Sequence, residues 1–365
     1  MSDEKIYQLA LHLTNGLGSV LIRQLIAHFG SAQKIFQANL KSLTRVNGIG
    51  EATARIILQK EGIREAENEL KKLASVDGKL LFYTDPEFPT RFKSLYDAPV
   101  LLYGKGNFNL NEGRFVGVVG TRKATDYGKN TCEQIVEGLA NKGVTIVSGL
   151  AYGIDIATHR ACVKLRVPTL GAMATGIDLI YPSTHAKTAQ EMQVNGGILT
   201  EYPLGTKPDF MRFPARNRII AGLSDAIIVV EAAEKGGALI TAEYANNYNR
   251  DVFAVPGNLS NSYSTGCNQL IRTHKAQIFT GVDDLMDALS WLPDGTASTT
   301  PPPLPEHFTQ AESTIVSLLR QKGEMQIDEL AWESQIHLGK LSPLLLNLEL
   351  QGYLRSLPGK KFALA

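Results

Sequence analysis

The stretch F115-VGVVGTRKATDYG-128 is an apolar run that ends in glycine, passes through a hydroxyl and a guanidinium, and then enters a helix-like segment. A strand, a tight turn and a helix in that order form the first unit of a doubly wound α/β fold, whose ligands sit at the carboxyl ends of the strands. The three glycines of a dinucleotide loop are missing, and Arg122 stands where one of them would be. Eight further runs share the apolar, glycine-bounded pattern: KLLFYT, VLLYG, TIVSGL, PTLGAMA, GGILTEY, AIIVVEA, DVFAVPG and AQIFTG. Near-continuous apolar strands separated by helix-length segments predict a mainly parallel, Rossmann-like sheet covered on both faces.

This α/β segment occupies residues 67–295 and is flanked on both sides. Residues 1–66 read as short amphipathic helices, IYQLALHL, SVLIRQLIAHF, SAQKIFQA and EATARIILQ. Between them lie two similar turns, Asn15-Gly16-Leu17-Gly18 and Asn47-Gly48-Ile49-Gly50, the signature of a helix-hairpin-helix (SAM-like) repeat. Glycines there permit tight turns whose following helix can face a phosphate, but a purely structural helical domain fits the pattern as well. Residues 296–305, rich in proline and small polar groups, read as a linker. Residues 306–365 give three helical patterns and a hairpin, a winged helix. Its third helix has Lys340 as its only basic residue, and a DNA-reading helix needs more cations than that, so a protein contact is expected there.

A chain of 365 residues, 44% hydrophobic and 20% charged, is ordinary globular matter divided into domains. No stretch approaches the roughly 18 apolar residues of a membrane helix, and the N-terminal MSDEKIYQ has no export signature, which points to the cytoplasm. Cys132, Cys162 and Cys267 lack paired spacing and read as buried free thiols. A net charge of +1 means that any anion site must be built from local groups.

Such groups gather on the strand-end loops. Gly120-Thr121-Arg122 follows one strand and Ser148-Gly149 another, each placing glycine and a hydroxyl before a helix. Asp155 reads as a helix N-cap or loop organiser, and His159, one turn on, makes with it neither a metal site nor a triad. Asp178, in TGIDLIYP, either fixes a ribose or caps its turn. The segment FMRFPARNR places Arg212, Arg216, Asn217 and Arg218 beside Phe210 and Phe213, charge for a backbone and faces for bases. Arg216 and Arg218 are two apart on a helix and point to different sides, so one can meet phosphate while the other ties the helix to the sheet. Lys235-Gly236-Gly237 and Thr241 form a further glycine-rich anion loop, and Ser264 opens another hydroxyl turn.

The blocks GVVGTRKATDYG, VSGLAYGIDIATH, TGIDLIYP, TEYP, FPARNRIIAGLSDAIIVVEA, GGALITAEYA, RDVFAVPG and GCNQLI, in this order, resemble the DNA-processing protein A family (DprA/Smf). The resemblance implies a single-stranded DNA-binding protein, without catalytic residues, metal or cofactor. Such a protein protects incoming DNA in natural transformation, loads the RecA recombinase and dimerises through its Rossmann-like domain. It carries the strand-binding pocket onto Gly120, Thr121, Arg122, Ser148, Gly149, Arg216, Asn217 and Arg218. At Lys235, with Gly237 and Thr241, the chain departs from the family's usual Ser-Gly-Ser, and two hydroxyls give way to an ammonium. The rival reading is a nucleotide-cleaving phosphoribohydrolase of the lysine-decarboxylase-like fold, imitated by Gly236-Gly237, Thr241 and Glu243.

Overall fold

The computed structural model describes residues 3–291, 308–357 and 361–364. The chain forms two compact units, Met1–Leu289 and Ser290–Ala365. The linker expected at 296–305 lies outside the described residues.

Six helices open the first unit: α1 (Asp3–Leu13), α2 (Ser19–Phe29), α3 (Ala32–Gln37), α4 (Leu40–Leu43), α5 (Glu51–Gln59) and α6 (Glu61–Ser75). The two repeated turns enter α2 and α5, with Gly16 at φ +84° and Gly48 at φ +83°, conformations that L side chains rarely adopt. Leu17 and Ile49 plug the turns into the core. Within the core, Glu4 of α1 accepts the N–H groups of Ala32 and Gln33 at 2.6 and 3.2 Å, satisfying donors at the start of α3. Residue 66, where the periodicity placed a domain limit, falls inside α6. Leu70 and Leu73 of that helix share one apolar cluster with Leu80, Phe82 and Tyr103 of the following sheet.

The sheet comprises β1 (Lys79–Phe82), β2 (Leu101–Asn107), β3 (Arg114–Val119), β4 (Val144–Gly149), β5 (Thr169–Ala172), β6 (Gly196–Thr200), β7 (Ala226–Val229), β8 (Asp251–Ala254) and β9 (Gln277–Ile278). Each expected run overlaps one of these strands. The helices threaded among them are α7 (Asp126–Leu139), α8 (Ile154–Leu165), α9 (Ala186–Glu191), α10 (Arg212–Leu223), α11 (Gly237–Asn247), α12 (Thr265–Arg272) and α13 (Val282–Ala288). Strand order is β1-β2-β6-β5-β4-β3-β7-β8-β9. From β6 to β9 all pairs are parallel, and β1 and β2 add an antiparallel edge. Val116, Val118, Ile227 and Ile228 are completely buried, as central strands covered on both faces require. The chain winds outward from β3 to β6, then returns to pair β7 beside β3. This reversal opens a crevice at the carboxyl ends of β3 and β7.

The second unit holds α14 (Gln310–Lys322), β10 (Glu324–Gln326), α15 (Ile327–Ser334), α16 (Leu338–Leu350), β11 (Leu354–Leu357) and β12 (Lys361–Leu364), the strands in the order β10-β12-β11. A capping box between Thr309 and Glu312 starts α14, and Leu319, Leu330, Leu341 and Leu345 form the core of this winged helix.

Candidate nucleic-acid interface

The crevice at the reversal is a cleft of about 700 Å³ walled by the loops after β3 and β7 and by α10 and α11. On the first wall, Thr121 donates its N–H to the Glu231 carbonyl at 2.7 Å and accepts the Ile154 N–H at 3.1 Å on its own carbonyl. Gly153, at φ +77°, passes beneath, and a Cβ there would collide with the Thr121 carbonyl. The turn therefore holds its backbone close and leaves the Arg122 side chain exposed. The Arg122 guanidinium lies 5.1 Å from the centre of the Phe213 ring, a cation–π contact, and Phe213 in turn meets the half-exposed Tyr181 at 5.9 Å.

The arginines of α10 part company. Arg216 is 4% exposed; its Nε donates to Asn217 Oδ1 at 3.2 Å and its Nη1 to the Ala172 carbonyl. It sits beside Asp155, and burial pushes that carboxyl up to about 6 although Arg216 pulls the other way. Gly149 closes the group: a Cβ at this position would strike both the Asp155 carboxylate and the Arg216 guanidinium. Arg218 turns to the other side of the helix and forms an ion pair with Glu201, both side chains nearly buried. Arg212 covers the Tyr202 ring and donates to the Lys207 carbonyl at 2.8 Å.

On the opposite wall Lys235, Gly236 and Gly237 are exposed. Gly236 precedes α11 without any side-chain cap, and with Gly237 and Ala238 it lines the cleft, so the positive end of the helix faces it. Asn217 fixes this end by donating Nδ2 to the Gly237 carbonyl at 3.0 Å. Phe210, 84% exposed, stands at the mouth with Glu234 and Glu243.

Of the residues singled out in the sequence, Gly120, Thr121, Arg122, Arg216, Asn217, Lys235, Gly237 and Thr241 line this one cleft. Ser148, Gly149 and Arg218 do not. Ser148 is fully buried and donates its hydroxyl to the Val118 carbonyl at 2.6 Å, and the buried Thr241 hydroxyl is donated within α11 to the Gly237 carbonyl. Asp155 lies in the first turn of α8, whose N-cap is Gly153; it faces Arg216 and accepts the Ala151 main-chain N–H, a loop organiser rather than the N-cap. Asp178 accepts the Gly205 N–H at 2.9 Å and so ties its turn to the loop after β6 rather than capping its own turn. His159 bridges Thr169 and the Gly149 carbonyl, each at 2.8 Å, and burial lowers it to about 4. Ser264 is buried at the start of α12. Sequence reasoning passed over Glu231, whose signal was a carboxylate inside the apolar run AIIVVEA, and marked Tyr181 at a strand-end turn without giving it a role.

Among the described residues no group of three or more His, Cys, Asp or Glu could hold a metal ion, and no helix is long and apolar enough to cross a membrane. The three cysteines are free and buried.

Residues 79–290 match the profile of the DNA recombination-mediator protein A family, residues 298–360 that of the DprA winged helix domain, and residues 11–78 that of the SAM-like helix-hairpin-helix tandem. Protein Smf of Synechocystis sp. is 32% identical over 99% of both chains. The X-ray structure of DNA processing protein A from Streptococcus pneumoniae superposes with a TM-score of 0.67 at 32% identity, over 79% of this chain and 98% of that one. A structure of the Helicobacter pylori protein, described for its single-stranded DNA binding mode, matches 58% of this chain and 95% of its own with a TM-score of 0.53 at 32% identity. With its central sheet and its flanking helical and winged-helix domains each matched, the chain belongs to the DNA recombination-mediator protein A family, the DprA/Smf proteins.

Proposed function

We propose that this protein binds single-stranded DNA across the mouth of the β3/β7 cleft and carries it without cutting it, delivering it to the RecA recombinase during natural transformation and recombination. The observation that carries this reading is the array of exposed Arg122, half-buried Phe213 and exposed Tyr181, across the cleft from Lys235 and the uncapped start of α11. Cations and helix N–H groups suit successive phosphates, and rings suit unpaired bases of any identity. Arg216, Asn217 and Gly149 shape the cleft from below, with Ser148 behind them. Arg218 anchors α10 to the sheet through Glu201.

Work in the cytoplasm as a homodimer through the Rossmann-like domain belongs to the same proposal. So does a protein-contact role for the winged helix, where Trp332 is 79% exposed and α16 offers only Lys340 as a cation. The enzymatic alternative finds Glu243 at the cleft, but this exposed carboxylate forms no ion pair among the described residues, and a ribose-cleaving site needs an arginine beside it.

Fluorescence anisotropy with labelled single-stranded and duplex oligonucleotides tests the reading. About three neutralised phosphates give a slope of log affinity against log salt near −2, and Arg122→Ala should weaken all sequences alike and flatten that slope by about 0.7. A folded Arg122→Ala protein with unchanged affinity and slope would remove Arg122 from the site. Release of free base from nucleoside monophosphates, abolished by Glu243→Gln, would replace the binder with the hydrolase.

A further inference from the structure

We infer that Glu231 is a positioning residue for strand binding: it clasps both ends of the Thr121–Thr125 loop and so aims Arg122. This rests on the reading of Arg122 as a strand-binding cation. Glu231 follows β7 and is 1% exposed. Its main-chain carbonyl accepts the Thr121 N–H at 2.7 Å. Its carboxylate accepts the Thr125 N–H at 2.9 Å and the Thr125 hydroxyl at 2.5 Å. One residue of the neighbouring strand thus pins the loop just before and just after Arg122 and Lys123.

The sequence around the loop is built for this clasp. Thr125 spends its single hydroxyl proton on Glu231 and uses a lone pair to accept the Gly128 N–H at 3.2 Å, capping α7. A Cβ on Gly128 would collide with the Glu231 carboxylate, and a Cβ on Gly120 would press on the Glu231 carbonyl and strike Ile154. Of the two glycines that bound GTRKATDYG, Gly128 makes room for the Glu231 carboxylate and Gly120 for Ile154 and the Glu231 carbonyl. That carboxylate stands at the start of α7, where a helix would otherwise accept an anion. The negative charge is supplied from within, and the exposed guanidinium of Arg122 is left as the loop's contact for an external phosphate.

The test is a double-mutant cycle on the full chain, read by anisotropy with a labelled oligothymidylate across a salt series. Glu231→Gln exchanges one charge-assisted acceptor for an amide that cannot accept from both Thr125 groups. It should weaken binding about fivefold to tenfold and flatten the salt slope toward that of Arg122→Ala. In the Arg122→Ala background the same change should cost less than about twofold, because the group it aims is gone. Thr125→Val should reproduce the loss and Thr125→Ser should restore it, which keeps the test open if Glu231→Gln folds poorly. Unchanged affinity and slope in Glu231→Gln, or losses that multiply fully with Arg122→Ala, would overturn the clasp while leaving Arg122 in the site. If Arg122→Ala binds like the unmodified protein, the site assignment falls and the clasp falls with it.

Discussion

Arg218 and Arg122 both belong to the strand-end blocks, yet the structure assigns them opposite consequences, and Arg218→Met exposes the difference. Arg218 and Glu201 are paired at 13% and 12% side-chain exposure. Burial already holds the Glu201 carboxyl above the usual carboxylate range, with Arg218 pulling it down. Removing one member of a buried pair costs about 3–5 kcal/mol, because the other is left uncompensated. Glu201 can shed part of that penalty by taking a proton, so we expect a loss of about 2–4 kcal/mol near pH 7. Without Arg218 the folded-state pKa of Glu201 rises further above its unfolded value. Folding then takes up a proton, so the variant loses stability as pH rises through that window and regains it on acidification. Urea denaturation followed by circular dichroism, at about pH 7 and about pH 5, reads both the loss and its partial recovery. Glu201→Gln with Arg218→Met should recover much of the loss at about pH 7, since no bare charge remains. The salt slope for single-stranded DNA should be unchanged. A loss below about 1 kcal/mol together with a flatter slope would show that Arg218 meets the strand and that its pairing with Glu201 is incidental.

Other consequences are open to direct measurement. Asp155, held up at about 6 beside Arg216, sheds its negative charge below that pH, so affinity for single strands should rise as pH falls through about 6, and Asp155→Asn should abolish that step. Gly153→Ala forces a side chain into a left-handed conformation against the Thr121 carbonyl; we expect a stability loss above about 1 kcal/mol in denaturant titration and weakened strand binding. Burial pushes the three thiols up to about 12, so an aromatic disulfide reagent should leave Cys132, Cys162 and Cys267 unmodified until the protein is unfolded.

Strands were legible because a parallel sheet buries both faces, and runs such as FVGVV or AIIVV have no polar alternate positions to disguise. Short elements were not. Helix α4 spans Leu40–Leu43 and stands on an Asn39–Ser42 capping box, while β10 spans Glu324–Gln326 and exists through its pairing with β12, a contact far away in sequence. The site was legible as a set of residue types and much less as a set of directions. Arg216 and Arg218 look equivalent in FPARNR, and only the packing of α10 sends one beneath the cleft and the other to Glu201. Ser148 and Thr241 announce hydroxyls at glycine-rich turns, but each donates to a nearby main-chain carbonyl. Glu231 was the converse case: a carboxylate at the end of a buried strand must have hydrogen-bond partners, and that demand was a signal before its partners were visible.

The same bonds bear on why a strand rather than a dinucleotide suits this cleft. In a dinucleotide fold the pyrophosphate sinks onto the first helix after the first strand, admitted by glycines that keep the turn open. Here that position is filled by the Glu231 carboxylate, and α7 is capped by Thr125. An anion settling on α7 would meet that fixed negative charge, whereas Asp155 in the cleft is faced by the Arg216 guanidinium. Arg122 and Lys235 lie exposed on opposite walls, Lys235 beside the start of α11, with rings at the mouth. In the proposed function a chain lies across the rim, its phosphates at Arg122, Lys235 and the start of α11, beside the exposed Glu234 and Glu243. On this reading the missing third glycine is the consequence of a loop held by its own protein's carboxylate.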